Sequence, residues 1–120
     1  MNIEMKRMAR ESLENFIDRN GLVLEVRSLP DLDCRVSPPR PVGETFYANI
    51  KGAEIKLGPI LSSESGRGAT AQEAVQKYIK LIRCQLLVID AYKDTRREIN
   101  VPWLTDDLEA ETVARLQNAG

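Results

Sequence analysis

The segment Ser65-Gly66-Arg67-Gly68-Ala69-Thr70-Ala71-Gln72-Glu73 constrains this chain more than any other stretch. Two glycines flank an arginine immediately ahead of a strong helix start. The Thr70 hydroxyl is placed to accept a first-turn backbone N–H, and Glu73 follows three residues later, which is the spacing of a capping box. The chain must therefore turn and enter a helix near residue 71. Two readings of the glycines stay open. In one, they bring the backbone close to a ligand at a helix N-terminus, where free N–H groups favour an anion and the planar Arg67 fork suits phosphate. In the other, they only make a tight strand-to-helix turn. The spacing matches neither a P-loop nor the G-x-G-x-x-G fingerprint.

The elements around this segment follow from hydrophobic period. Met5, Met8, Ala9, Leu13, Phe16 and Ile17 form a helical stripe over residues 3–20, stopped by Asn20-Gly21. Leu22, Leu24 and Val26 then alternate with Val23, Glu25 and Arg27, which predicts a short strand. Residues 29–42 hold Pro30, Pro38, Pro39 and Pro41 and read as an irregular Pro-rich loop inside one domain, a segment suited to binding. Phe46 to Lys51 and Ala53 to Leu57 alternate as strands about Gly52, and Ile60 to Ser63 continues the sheet after Gly58-Pro59. The helix from Ala71 to about Arg83 turns Ala71, Ala74, Val75, Tyr78, Ile79 and Ile82 to one face. Gln85 to Tyr92 reads as a buried central strand, and Arg96 to Val101 as its hairpin return, ended by Pro102. Thr105 would cap a last helix over about 105–118, with Asp106, Asp107 and Glu109 near its N-terminus.

Length and charge narrow the function classes. The 120 residues suit a single domain, 1–120, with one modest core. Seventeen basic residues against 18 acidic ones leave a net charge of −1, which argues against coating nucleic acid. The longest apolar run, Leu86 to Ile89, is too short to span a bilayer, and the first eleven residues carry no signal-peptide core. The expected setting is cytoplasmic, with no membrane partner. There is no histidine, so Cys/His zinc sites and Ser-His or Cys-His nucleophilic pairs are excluded. Cys34 and Cys84 lie far apart without motif spacing, and Cys84 reads as a small buried apolar residue.

A second basic feature is Lys93-Asp94-Thr95-Arg96-Arg97-Glu98-Ile99-Asn100. Arg96 and Arg97 point to opposite faces of a strand, so one of them can join a pocket with Arg67. Asn100 offers both donor and acceptor to a base or ribose edge. The bland alternative is a charged hairpin tip paired with Asp94 and Glu98. Tyr47, Tyr92 and Trp103 are able to stack on a base or to pack internally. Asp31, Asp33, Glu44, Glu64, Asp106 and Asp107 form no acid/base pair by spacing, and no EF-hand loop is present. Neither a metal nor a cofactor is expected, and no catalysis.

Two resemblances rest on these residues. Residues 44–83, with Gly66-x-Gly68-x-Thr70-x-x-Glu73-Ala74, resemble the second half of a double-stranded RNA-binding domain, and the first helix would complete an α-β-β-β-α order. That family places lysines in the first helical turn to hold phosphates. Ala71, Gln72 and Glu73 stand there instead, so nucleic acid is not the expected partner. The span 44–102, with Gly-Arg-Gly-Ala-Thr-Ala-Gln-Glu-Ala-Val, Leu86 to Tyr92 and Arg96 to Pro102, is similar to phage-encoded proteins that sequester the cyclic ADP-ribose signal of bacterial Thoeris defence. This resemblance implies a non-catalytic, homo-oligomeric sponge for a small nucleotide, acting in the host cytoplasm.

The expected fold is α+β: an antiparallel sheet of about five or six strands, the 71–83 helix across it, and two peripheral helices. The expected function is sequestration of a cyclic nucleotide. Gly66, Arg67, Gly68 and Thr70 would hold phosphate, and Arg96, Arg97 and Asn100 would complete the site. The alternative is a protein-binding inhibitor or adaptor, comparable to anti-CRISPR proteins, on a double-stranded-RNA-binding-type scaffold. Its contacts would be the Pro-rich segment and the acidic last helix.

Overall fold

The computed structural model describes residues 10–106 and 108–118. The fold is α+β, as the patterning predicts, but its strands divide among three sheets. The first element is a two-residue strand, β1 (Arg10–Glu11), where the periodicity predicts helix. Ser12 is the reason: its side chain accepts from Asn15 N at 3.1 Å and starts helix α1 only at Leu13, so that α1 is Leu13–Asn20. Residues 3–9 of the expected helix lie outside the described residues. Gly21, at φ 63°, closes α1 in the left-handed conformation.

Strands β2 (Leu24–Asp33) and β3 (Arg40–Ile50) form one long antiparallel hairpin that takes in most of the expected Pro-rich loop. The register runs from Leu24↔Ile50 to Asp33↔Arg40, with a bulge at Asp31/Leu32. Strands β4 (Ala53–Leu57) and β5 (Ile60–Ser62) make a second hairpin about Gly58. The chain then returns to β3 as β6 (Gly66–Gly68), giving the three-stranded order β2-β3-β6. Helix α2 (Ala71–Ile82) follows, and then β7 (Leu86–Ile89), β8 (Arg97–Asn100) and β9 (Trp103–Leu104). The four-stranded sheet runs β5-β4-β7-β8, and β9 pairs parallel with β1. The last helix, α3, is Ala110–Asn118. It begins later than predicted because Thr105 N donates to Glu11 O at 2.9 Å, which holds Thr105 at the β1–β9 ladder.

The core lies where α2 meets these sheets. Of the predicted stripe, Ala74, Val75, Tyr78, Ile79 and Ile82 are fully buried with Leu13, Phe16, Ile50, Leu87 and Leu104, while Ala71 is only partly buried at the edge of this core. Val113 and Leu116 of α3 close the same cluster. Cys84 corrects an expectation. It is exposed, because the chain leaves α2 there with φ 61° and so turns the side chain outward. Among the described residues no helix is long and apolar enough to cross a membrane.

Candidate functional site

The structure gives the Gly-Arg-Gly segment a packing role. Gly66, Arg67 and Gly68 are an edge strand paired with Ala48, Tyr47 and Phe46, and α2 lies directly over them. A Cβ on Gly66 would sit 2.0 Å from Ala74 O and 2.3 Å from Tyr78 N. A Cβ on Gly68 would sit 2.7 Å from the Glu73 side chain. The glycines are therefore required by the close strand–helix approach, whatever else the segment does. The capping box forms as predicted: Glu73 N donates to Thr70 Oγ1 at 3.1 Å, and Ala69 N donates to Glu73 Oε1 at 2.8 Å. Two amides that an anion would use are thus satisfied from within.

The other predicted site residues do not converge on Arg67. Arg67 belongs to the three-stranded sheet, where it is exposed with its guanidinium 5.5 Å from the Tyr47 ring centroid. Arg97 and Asn100 lie on β8, the edge of the four-stranded sheet. Arg96 pairs with Glu98 Oε2 at 2.9 Å, and this contact together with Lys56 holds the Glu98 carboxyl below its usual range. Arg97 donates to Asn20 O at 2.7 Å, tying β8 to the end of α1. The charged-tip reading thus describes Arg96, and Arg97 braces the fold. Trp103 carries the Arg83 guanidinium 4.0 Å from its ring centroid, a packed cation–π pair.

The most prominent feature lies in the segment whose prolines predict a loop. Five strand pairs, Leu29↔Thr45 to Asp33↔Arg40, extend beyond Phe46, the last residue of β3 that β6 covers. At roughly 3.4 Å per residue they carry a two-stranded arm about 17 Å out from the body. Leu29, Leu32 and Val42 are 57%, 50% and 64% exposed on it. Strand alternation puts Leu32 on the same side as the core-facing Leu24 and Val26, and Leu29 on the opposite side. Apolar surface therefore lies on both faces of the arm. Its conformation is fixed internally. Thr45 Oγ1 donates to Asp31 Oδ1 across the strands at 2.9 Å, and Arg35 pairs with Asp33 at 3.0 Å at the tip.

Comparison with protein-family models, with curated proteins and with solved structures finds no match.

Proposed function

We propose that this chain is a non-catalytic protein-binding module, an inhibitor or adaptor that inserts its β2–β3 arm into an apolar groove of a partner protein. The observation that carries the reading is the arm itself, with Leu29, Leu32 and Val42 half or more exposed on a lever beyond the body. Apolar side chains scattered singly over a surface need no partner, whereas three of them concentrated on one projecting hairpin mark a contact surface. Because both faces carry apolar side chains, an enclosing groove fits the arm better than a flat surface.

The test uses the double substitution Leu29→Asp with Leu32→Asp. Neither side chain packs in the core, so the melting temperature should stay within a few degrees. A photo-crosslinker at position 42 in the otherwise native chain should label one partner at one mapped surface, and the double variant should lose that labelling. An Arg67→Ala, Arg97→Ala chain should keep it. Labelling that survives both aspartates would sink the reading.

A second reading is favoured by Arg67. Its guanidinium stacks beside Tyr47 with no carboxylate paired to it among the described residues, and so offers a cation and an aromatic face together. On this reading the chain sequesters a small cyclic nucleotide, as its likeness to the Thoeris-signal sponges implies. Native mass spectrometry with cyclic ADP-ribose isomers would then show an unmodified adduct that Arg67→Ala abolishes.

A further inference from the structure

We infer that the outer face of the three-stranded sheet binds single-stranded nucleic acid, with one base on Tyr47 and the phosphates to either side of it on Arg27 and Arg67. This goes beyond the sequestration reading of Arg67, which needs neither Arg27 nor a polymer.

The register builds the site. Arg27 lies opposite Tyr47, and Tyr47 opposite Arg67, so one residue from each strand stands in a single row across β2, β3 and β6. The row faces away from the core. Leu24, Ala48 and Ile50 are buried and Gly66 and Gly68 lie against α2, so alternation turns the residues between them to the opposite side. Arg67 shares that side with the Tyr47 ring, whose centroid is 5.5 Å from its guanidinium. Lys51 N donates to Val23 O, which makes Arg27↔Tyr47 a hydrogen-bonded pair and Tyr47↔Arg67 the closer, non-hydrogen-bonded kind. The two arginine Cα atoms are therefore about 10 Å apart, with the phenol between them.

Both cations are available. Arg19, Arg35, Arg83, Arg96 and Arg115 pair with carboxylates, and Arg97 with a backbone carbonyl. Arg27 and Arg67 are exposed and, among the described residues, pair with neither. Two carboxylates share their face. Asp31 is engaged by Thr45 Oγ1 at 2.9 Å, and Glu25 stands in the neighbouring row, paired with no arginine among the described residues.

The ligand follows from the row. An aromatic ring set between two separated guanidinium groups matches an aromatic ring set between two anions. A nucleic-acid strand repeats that order, a base between two phosphates, and stacking combined with phosphate contacts is how open sheets hold single strands. A duplex keeps its bases stacked on one another and offers none to Tyr47. An acidic peptide supplies the charges without the base. The net charge of −1 is unsuited to coating a long polymer, but this row asks for two phosphates only.

Fluorescence anisotropy at low ionic strength with a labelled short oligothymidylate, which neither folds nor stacks on itself, tests the site. Binding should weaken with salt at a slope of about −1.4 in log K against log salt, the value for two phosphate contacts on a single strand. Arg27→Ala, at an exposed position, should lower the affinity and halve the slope. Tyr47→Ala should cost about tenfold and leave the slope unchanged, while Tyr47→Phe should bind as the native chain does. Neither a duplex, nor polyglutamate, nor thymidine monophosphate should displace the strand. Absence of binding, a slope that Arg27→Ala leaves unmoved, or displacement by duplex or polyglutamate would each overturn the inference. Displacement by thymidine monophosphate at an equal nucleotide concentration would overturn it too, and would leave the sequestration reading standing.

Discussion

At the scale of single residues, the glycines and one tyrosine decide most. Gly66 is where β6 and α2 touch, and any Cβ there collides with backbone atoms that cannot swing aside. Gly66→Ala should therefore cost about 3 kcal/mol or prevent folding, which urea denaturation would read. A substitution that left stability intact would reopen the ligand-loop reading of the segment. Tyr78 is buried on the core-facing side of α2, and burial pushes its hydroxyl up to about 12, against a hydrogen bond with the Ile50 backbone that pulls the other way. The sign follows directly. Between pH 10, where the tyrosine of the unfolded chain ionises, and about 12, the unfolded state holds fewer protons than the folded one, so stability falls as pH rises. The loss should reach about 2–3 kcal/mol across that window, and Tyr78→Phe should flatten it. Melting curves taken at successive alkaline pH values for both chains would show this. A wild-type profile no steeper than that of the phenylalanine variant would contradict the assignment.

Among the elements, the arm is the least dependent on the rest. Lys51 N donates to Val23 O, so hydrogen-bonded pairs fall at the odd positions of β2 and the even ones turn their backbone to the open edge. Pro30 is one of the even ones. It presents no N–H to that edge, and the strand is guarded against pairing with another strand. Contact through side chains is what remains open to the arm. Replacing residues 30–44 by Asn-Gly, a two-residue turn closed by the hydrogen-bonded pair Leu29↔Thr45, should preserve the core register and leave the melting temperature within a few degrees. Collapse of that shortened chain would mean that the arm supports the body. The helices and inner strands were legible in the sequence because their patterns are local. The α2 stripe, the Thr70–Glu73 box and the Phe46–Ile50 alternation each carry their own periodicity. The arm was not, because four prolines in fourteen residues signal a loop, while edge position makes Pro30 and Pro41 compatible with strand and leaves Pro38 and Pro39 to the tip. The role of Gly66 was equally hidden, since a glycine that admits a helix and one that admits a phosphate leave the same mark in a sequence.

Across the whole molecule, the ends are gathered and the middle is thrown outward. Glu14 binds Arg115 through two contacts of 3.0 Å, joining α1 to α3, while Glu11 holds Arg19 at 2.7 Å beside the β1–β9 ladder. Both glutamates are held below their usual range, first by hydrogen bonds from these arginines, so the clamp contributes stability above about pH 4.5 that is lost as acid protonates them. The outward part sets the shape. A compact domain of this length has a radius of gyration of roughly 14 Å, whereas the chain shows 16.3 Å and a long axis of 61 Å. The excess is the arm, carried rigidly by its cross-strand contacts. Small-angle X-ray scattering in dilute solution should therefore give about 16 Å for the full chain, and about 2 Å less once residues 30–44 are replaced by the turn. At high concentration, with no partner groove to enclose the exposed leucines, arms should meet arms, and the apparent mass should rise in the full chain alone. Leu29→Asp with Leu32→Asp should abolish that rise without altering the dilute radius. A full chain that scatters at about 14 Å when dilute would show the arm folded back on the body, and the protein-binding proposal would lose the projecting surface on which it stands.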